Sequence, residues 1–453
     1  MPLPDLIEIV PLTSPVRAEI TVPGSKSITN RALVLAALAG GETALPGALW
    51  SEDTQVMVEC LQEIGFMVNV EPDPDETCNR TITVYGLGGK VPRGGTVEQP
   101  LELFVGNAGT AARFLAAMVC LGEGVYKLHG VPRMHERPQA ALFGALRELG
   151  YRVDSPNDRL PALIHAGSVG SRGHEALTKT ETARSLLSSA ATRKTCRVSI
   201  EESSQFASAL LLGAITGGWK ISVTGENAEE SPYVQMTSEL VKVFPQRGGV
   251  FEIEPDASSG SYFWAAGSLL AWSFKTLRTV TVAHWPGSGW QVDARFRDYS
   301  KPTVAFPKTT SRQSDLGDSI MTAIVLAPFA GQPVKFTGLG RLRQQECERV
   351  VALRTELTRC GARAIETGDT LEVFPSSLHG AEIETYDDHR MAMCFAVLGL
   401  KIPGIKIKNS ACVKKTFPNF FQKLAAPPPH GLSAEIRDGR TGRKLGPGEL
   451  FAD

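Results

Sequence analysis

The chain has 453 residues, 42% hydrophobic and 21% charged, with a formal net charge of -1, the composition of a soluble globular protein of two domains or more. That balance excludes general attraction to nucleic acid or to an acidic membrane, so any anion must be held by local charge. The cysteines include no C-x-x-C pair, which argues against a metal site or a disulfide framework. No apolar run nears the roughly 18 residues that cross a bilayer, residues 1–5 lack a signal-peptide pattern, and a reducing cytoplasm is the expected compartment.

In chain order, residues 8–10 and 18–22 read as strands. Pro23-Gly24 then breaks the chain before a polar cluster, Ser25-Lys26-Ser27, that opens the apolar run 32–37. The same succession returns at Asn107-Ala108-Gly109-Thr110, Ser203-Ser204-Gln205, Asp256-Ala257-Ser258-Ser259, Asp315-Leu316-Gly317-Asp318 and Tyr386-Asp387-Asp388-His389. Each cluster carries helix N-cap chemistry, and the recurrence predicts one supersecondary unit used six times. Strands are expected between units at residues 81–85, 220–223 and 334–336. Amphipathic helices are expected over residues 54–61 and 349–357, stopped by Gly65 and Gly361. Three units fall before about residue 250 and three after it. The expected division is therefore residues 23–253 as one domain and residues 1–22 with 254–425 as the other. Residues 166–200, rich in Ser, Thr, Arg and Lys, read as an exposed insertion. Residues 426–453, with three consecutive prolines and many glycines, read as a flexible tail. Six converging helix N-termini would make a strong anion site.

Several segments carry charge where a ligand could use it. Lys26 and Arg31 face inward together only with an anion between them. A P-loop does not account for this, because Ser25 precedes the lysine and Ile20 stands where the first glycine is required. Gly109 lets backbone N–H groups approach a ligand closely. The loop Pro132-Arg133-Met134-His135-Glu136-Arg137-Pro138 offers arginines suited to bidentate contact with carboxylate or phosphate. Asp318 sits at a helix start, Glu346 and Arg349 bracket another, and His389-Arg390 and Lys414-Lys415 add further cations. Taken singly, each of these also reads as a capped helix, a charged helix face or a solvated loop.

Taken together, PGSKSITNRAL, GNAGTAARFLAA, PRMHERP, SSQFASALL, DASSGSYF, YDDHRMAM and KTFP resemble, in order, the motifs of the 5-enolpyruvylshikimate-3-phosphate synthase family over roughly residues 7–424. The resemblance implies an α/β (α+β) enolpyruvyl transferase fold, two domains of three βαβαββ units joined by a double-stranded hinge. It implies transfer of the enolpyruvyl group of phosphoenolpyruvate to the 5-hydroxyl of shikimate 3-phosphate, by addition–elimination, in a monomer using no cofactor and no metal. By motif, Asp318, Glu346 and Lys26 resemble the catalytic groups. Lys26, Ser27, Arg31, Ser203, Ser204, Gln205, Ser231, Asp318, Arg341 and Gln345 resemble the shikimate 3-phosphate ligands. Lys26, Asn107, Gly109, Thr110, Arg133, Gln205, Arg349, His389, Arg390 and Lys415 resemble the phosphoenolpyruvate cradle. The chain departs from the family in having Gln345 where a lysine is usual and Arg341 where an asparagine is common. Gly109 fits the pattern sensitive to phosphoenolpyruvate mimics such as glyphosate. Two alternatives are a UDP-N-acetylglucosamine enolpyruvyl transferase, whose reactive loop cysteine is missing from residues 130–138, and a non-catalytic anion-binding paralogue.

Overall fold

Every one of the six polar clusters opens a helix: Lys26–Leu38, Gly109–Val119, Ser204–Gly217, Ala257–Phe274, Ile320–Leu326 behind the 3-10 turn Gly317–Ser319, and His389–Gly399. The computed structural model describes residues 3–167, 194–225 and 231–452. These helices are apolar on nearly all faces, which is stable only inside a protein. In the first, all residues from Ile28 onward are buried, and in the fourth Ala257 to Ala271 are buried without a break. Small alanines let the first three helices pack on one another, and the last three do the same. The amphipathic helices also form, as Glu52–Ile64 and Arg349–Arg359, and Gly65 and Gly361 end them with φ of 110° and 90°.

The strands follow one plan. Leu101–Phe104 runs parallel to Gly124–His129, which pairs antiparallel with Ala162–Ala166, which pairs antiparallel with Arg152–Asp154. Thr309–Ser311, Val334–Thr337, Thr370–Val373 and Ala364–Thr367 repeat that order. Each parallel pair needs a crossover, and the buried helix supplies it. The last unit borrows its antiparallel strands from both chain ends, since Leu6–Ile9 lies between Ile405–Lys408 and Ile436–Asp438. The second short N-terminal strand, Ala18–Ile20, runs parallel to Val280–Val282.

Buried apolar side chains collect in two separate cores. One holds residues from Ile28 to Ile253; the other joins Leu3–Val22 to residues from Tyr262 to Ala452. The chain passes between them twice, side by side: Ser25 N–H donates to Glu254 O and Asp256 N–H to Pro23 O, each at 2.8 Å. Gly24 is required there, because a Cβ would lie 1.9 Å from Gly47 O.

Two expectations change. Residues 426–452 are not a flexible tail. Ile436–Asp438 completes the edge of a sheet, and Leu432, Ala434, Ile436, Leu445, Leu450 and Ala452 are buried in the second core. Apolar residues spaced between glycines and prolines show no helix or strand period, but the open edge of Leu6–Ile9 supplies the order that composition hides. Most of the expected insertion, residues 168–193, lies outside the described residues. Its end is a strand, Lys194–Ser199, parallel to Trp219–Thr224, with Cys196 and Val198 buried.

Candidate active site

The openings of all six buried helices line one cleft of about 140 Å³ between the two cores. Ser25, Lys26 and Ser27 stand at the first, Gly109 and Thr110 at the second, and Ser203, Ser204 and Gln205 at the third. Asp256, Ser258 and Ser259 stand at the fourth, Asp318 at the fifth, and His389 and Arg390 at the sixth. Arg31, Arg341, Gln345, Glu346 and Arg349 join them, so most of the expected site residues come together.

On the wall built by residues 23–253, buried cations lack counter-charges. Arg31 donates to Thr237 Oγ1 at 2.7 Å, Ser27 O at 2.8 Å and Ser208 Oγ at 3.1 Å, all neutral acceptors. Arg113 donates to Gln205 Oε1 at 2.5 Å and to Pro138 O at 3.2 Å. Arg137 donates to Asn107 O at 3.0 Å, and the Nε atoms of Arg113 and Arg137 have no partner. Among the described residues none of these three forms an ion pair. Burial pushes Arg31 down to about 10, and burial with the neighbouring Arg137 pushes Arg113 well below its ordinary value. A guanidinium buried without an anion is costly, and an anionic ligand relieves it. Lys26 differs, being held by Asp53 at 2.9 Å.

The opposite wall grips two carboxylates. Asp318 pairs with Arg312 at 2.5 Å and with Arg390 at 3.3 Å. Glu346 pairs with Arg349 at 2.8 Å and with Lys415 at 3.3 Å. Burial alone would raise both carboxyls. Arg312, Arg390 and Arg349 outweigh it for Asp318, as Arg349 and Lys415 do for Glu346, and both fall well below the carboxylate range. Asp318 does not cap its helix, although its place at the helix start suggests so. Asp293 does that instead, accepting Ser319 N–H at 2.7 Å, and leaves Asp318 facing the cleft. His389 is buried with both ring nitrogens unpartnered, and burial lowers its pKa well below the usual value.

Burial, and then the charge of Asp318, push Asp293 up to about 7, whereas an unfolded aspartate titrates near about 3.9. Between those values the native state binds the extra proton, so this group lowers stability as pH rises through the window. Asp293→Asn should remove that slope while still accepting from Ser319. Melting temperatures of variant and parent at about pH 5 and about pH 8 check it, and equal slopes would contradict it.

Four expected residues fall elsewhere. Arg133 is on the surface, paired with Glu136 at 2.6 Å and donating to Gln345 O at 3.3 Å. Arg137, in the same loop, reaches the cleft instead. It ends the short helix Pro132–Glu136 and precedes Pro138, which holds it extended at φ -75° and ψ 141° and turns its side chain inward. Asn107 does not line the cleft and offers only its carbonyl to Arg137. Ser231 lines a second cavity beside the first. Lys415 stands behind Glu346. Gly109 lies against Arg137, where a Cβ would come 2.6 Å from the guanidinium.

Sequence reasoning missed Asp53, Arg113, Asp293 and Arg312, and in the loop 132–138 it chose Arg133 where Arg137 reaches the cleft. A lone arginine within the alanine-rich helix Gly109–Val119 was a usable signal for Arg113, of the same kind as Arg31. No local signal marks Asp293 or Arg312, whose roles arise only from packing. No cysteine lines the cleft among the described residues; Cys120 is buried with its thiol donating to Ala116 O at 3.3 Å.

The family model described as EPSP synthase (3-phosphoshikimate 1-carboxyvinyltransferase) matches residues 10–424. A 3-phosphoshikimate 1-carboxyvinyltransferase of Opitutus terrae is 37% identical over 457 residues, covering 94% of this chain and 98% of the relative. One of Trichormus variabilis is 35% identical, covering 93% and 98%. Among solved structures, an EPSP synthase of Acinetobacter baumannii superposes with a TM-score of 0.68 at 19% identity, covering 95% of this chain and 99% of that one. The enolpyruvyl transferase NikO of Streptomyces tendae superposes with a TM-score of 0.63 at 16% identity, covering 96% and 99%.

Proposed function

The chain belongs to the EPSP synthase (3-phosphoshikimate 1-carboxyvinyltransferase) family, and from that membership we propose how its cleft performs enolpyruvyl transfer. The reaction joins phosphoenolpyruvate to the 5-hydroxyl of shikimate 3-phosphate and releases phosphate, a step of aromatic amino acid biosynthesis. The observation that carries the reading is the pairing of two walls. One holds buried arginines without counter-charges; the other holds two carboxylates, each between cations.

Both substrates carry phosphate and carboxylate, and they must lie side by side. Arg31, Arg113 and Arg137 offset their repulsion through charged hydrogen bonds, worth about 1.5–3 kcal/mol each. Ser27, Ser203, Ser204 and Gln205 complete the acceptor's seat, and Lys26, Thr110, Arg137, Arg349 and Arg390 that of phosphoenolpyruvate. Asp318 takes the proton of the 5-hydroxyl as that oxygen bonds to C2 of phosphoenolpyruvate. Glu346, with Lys26 lining the same cleft, supplies a proton to C3. The methyl group of the tetrahedral intermediate then loses a proton as the C2–O bond to phosphate breaks. An incoming anion shares Arg349 with Glu346, which raises the proton affinity of that carboxyl when it must act as the acid. Each proton transfer contributes typically about 10²–10⁴-fold.

The reading divides the chain into residues 23–253 and residues 1–22 with 254–452, closing on the substrates, and the two separate cores support that division. It also takes the protein as a cytoplasmic monomer, which suits eight free thiols and a cleft drawn from one chain.

Incubating the purified chain with both substrates tests the reading through phosphate release. One phosphate per enolpyruvyl ether is expected. Binding of both substrates without release would overturn it, and release only with UDP-N-acetylglucosamine as acceptor would replace it. Exchanging the two loop arginines tests the cradle. Arg137→Ala should raise the KM for phosphoenolpyruvate on the order of tenfold or more, whereas the exposed Arg133→Ala should stay within about twofold. The reverse ranking would contradict the assignment.

A further inference from the structure

Arg312 stands at the junction of the cleft with a second cavity of about 420 Å³, on a wall the two share through Tyr233, Arg312, Arg341 and Gln344. Its side chain is 7% exposed and its guanidinium touches Asp318 at 2.5 Å, while its Nε has no partner among the described residues. Arg341 brings a second guanidinium to the junction. It donates to Ile200 O, three residues before the Ser203 opening, and among the described residues it has no carboxylate partner. Among the described residues Asp318 is the one carboxylate that pairs with Arg312, and Arg390 already claims its other oxygen.

Two guanidiniums with free donors and too little negative charge suit a tetrahedral dianion better than a carboxylate, because a phosphomonoester offers oxygens to both forks at once. Such an anion would draw Arg312 from Asp318, since one guanidinium cannot serve two anions equally. We propose that Arg312 determines acceptor specificity: it holds the Asp318 carboxylate while the cleft is empty and turns, with Arg341, onto the phosphomonoester of the acceptor when that substrate binds. Release of Asp318 then coincides with arrival of the phosphorylated alcohol. With Arg312 beside it the carboxylate is a poor base, because its negative charge is already neutralised. An unphosphorylated alcohol in the same seat leaves Arg312 in place and the base blocked.

This inference rests on the reading of the acceptor as a phosphorylated cyclic alcohol. Calorimetric titration of the full chain and of Arg312→Gln, Arg312→Lys and Arg341→Gln with shikimate 3-phosphate, shikimate and inorganic phosphate tests it. Both glutamine variants should bind shikimate 3-phosphate weaker by on the order of tenfold or more, as loss of a charged hydrogen bond implies. Shikimate should bind them as it binds the parent, and Arg312→Lys should fall between. The preference in kcat/KM for the phosphorylated acceptor should shrink by the same factor. Unchanged affinity for shikimate 3-phosphate in Arg312→Gln, or equal losses for both acceptors, would overturn the proposal. Should Arg312→Gln fail to fold, Arg312→Lys and Arg341→Gln decide by the same criteria. If the parent binds inorganic phosphate but not shikimate 3-phosphate, the reading of the acceptor fails, and loss of phosphate binding in both glutamine variants keeps the seat. Retention of phosphate binding there overturns both.

Discussion

Asp318→Asn lowers turnover by at least about 10², the least that loss of a positioned general base costs, and leaves shikimate 3-phosphate bound as tightly as in the parent or more so. The two effects separate because of where the residue lies. Its carboxylate stands between Arg312 at 2.5 Å and Arg390 at 3.3 Å, in a cleft lined by Arg31, Arg113 and Arg137. Removing one negative charge there does not weaken the hold on an anion. Asparagine keeps the volume and one acceptor oxygen, so the cations are not left bare. Steady-state turnover with calorimetric binding of the acceptor measures both. Turnover within tenfold of the parent would exclude Asp318 as the base, and a loss of binding equal to the loss of turnover would make it a ligand only.

Asp388→Ala destabilises the fold by about 3–5 kcal/mol, the usual result of removing one partner from a buried ion pair. Asp388 is fully buried and grips Arg349 twice, at 2.7 Å to Nε and 3.2 Å to Nη2. The same carboxylate caps His389–Gly399 by accepting Arg390 N–H at 2.9 Å, so about 1 kcal/mol more is lost with the cap. Against a total of about 5–15 kcal/mol, much of the stability goes. The exposed neighbour provides the control. Asp387 has φ 55°, and among the described residues its side chain hydrogen-bonds only to Asn409, at 3.0 Å. Asparagine tolerates that backbone, so Asp387→Asn should stay within about 0.5 kcal/mol. Urea unfolding of both variants checks the pair, and similar small losses in each would contradict the buried pairing.

What the residues revealed beforehand follows the range of the forces involved. Short-range order was readable: the side-chain caps of Ser203 and Asp256, the apolar runs behind them and the glycine stops at Gly65 and Gly361 all lie within a few residues of what they control. The clustering of the six openings was readable too, because one unit repeated must place like ends alike. Asp388 and Asp387 were indistinguishable in sequence, since only packing makes one fully buried and the other exposed. Arg133 and Arg137 posed the same problem, and the restraint of Pro138 on its predecessor decided it. Asp293 acts on Ser319 across 26 residues and Arg341 on Ile200 across 141, and no local pattern reports contacts of that length. The order of residues 426–452 was hidden for a related reason, because the strand they complete begins at Leu6.

The central claim is that the cleft adds a proton to C3 of phosphoenolpyruvate and later removes one from the same carbon. Turnover in D2O, with the enolpyruvyl methylene of the product read by NMR, tests this most directly. Passage through a methyl intermediate predicts deuterium in that methylene after a single turnover. A product formed in D2O with its methylene wholly protiated would contradict addition–elimination and with it the roles given to Asp318 and Glu346.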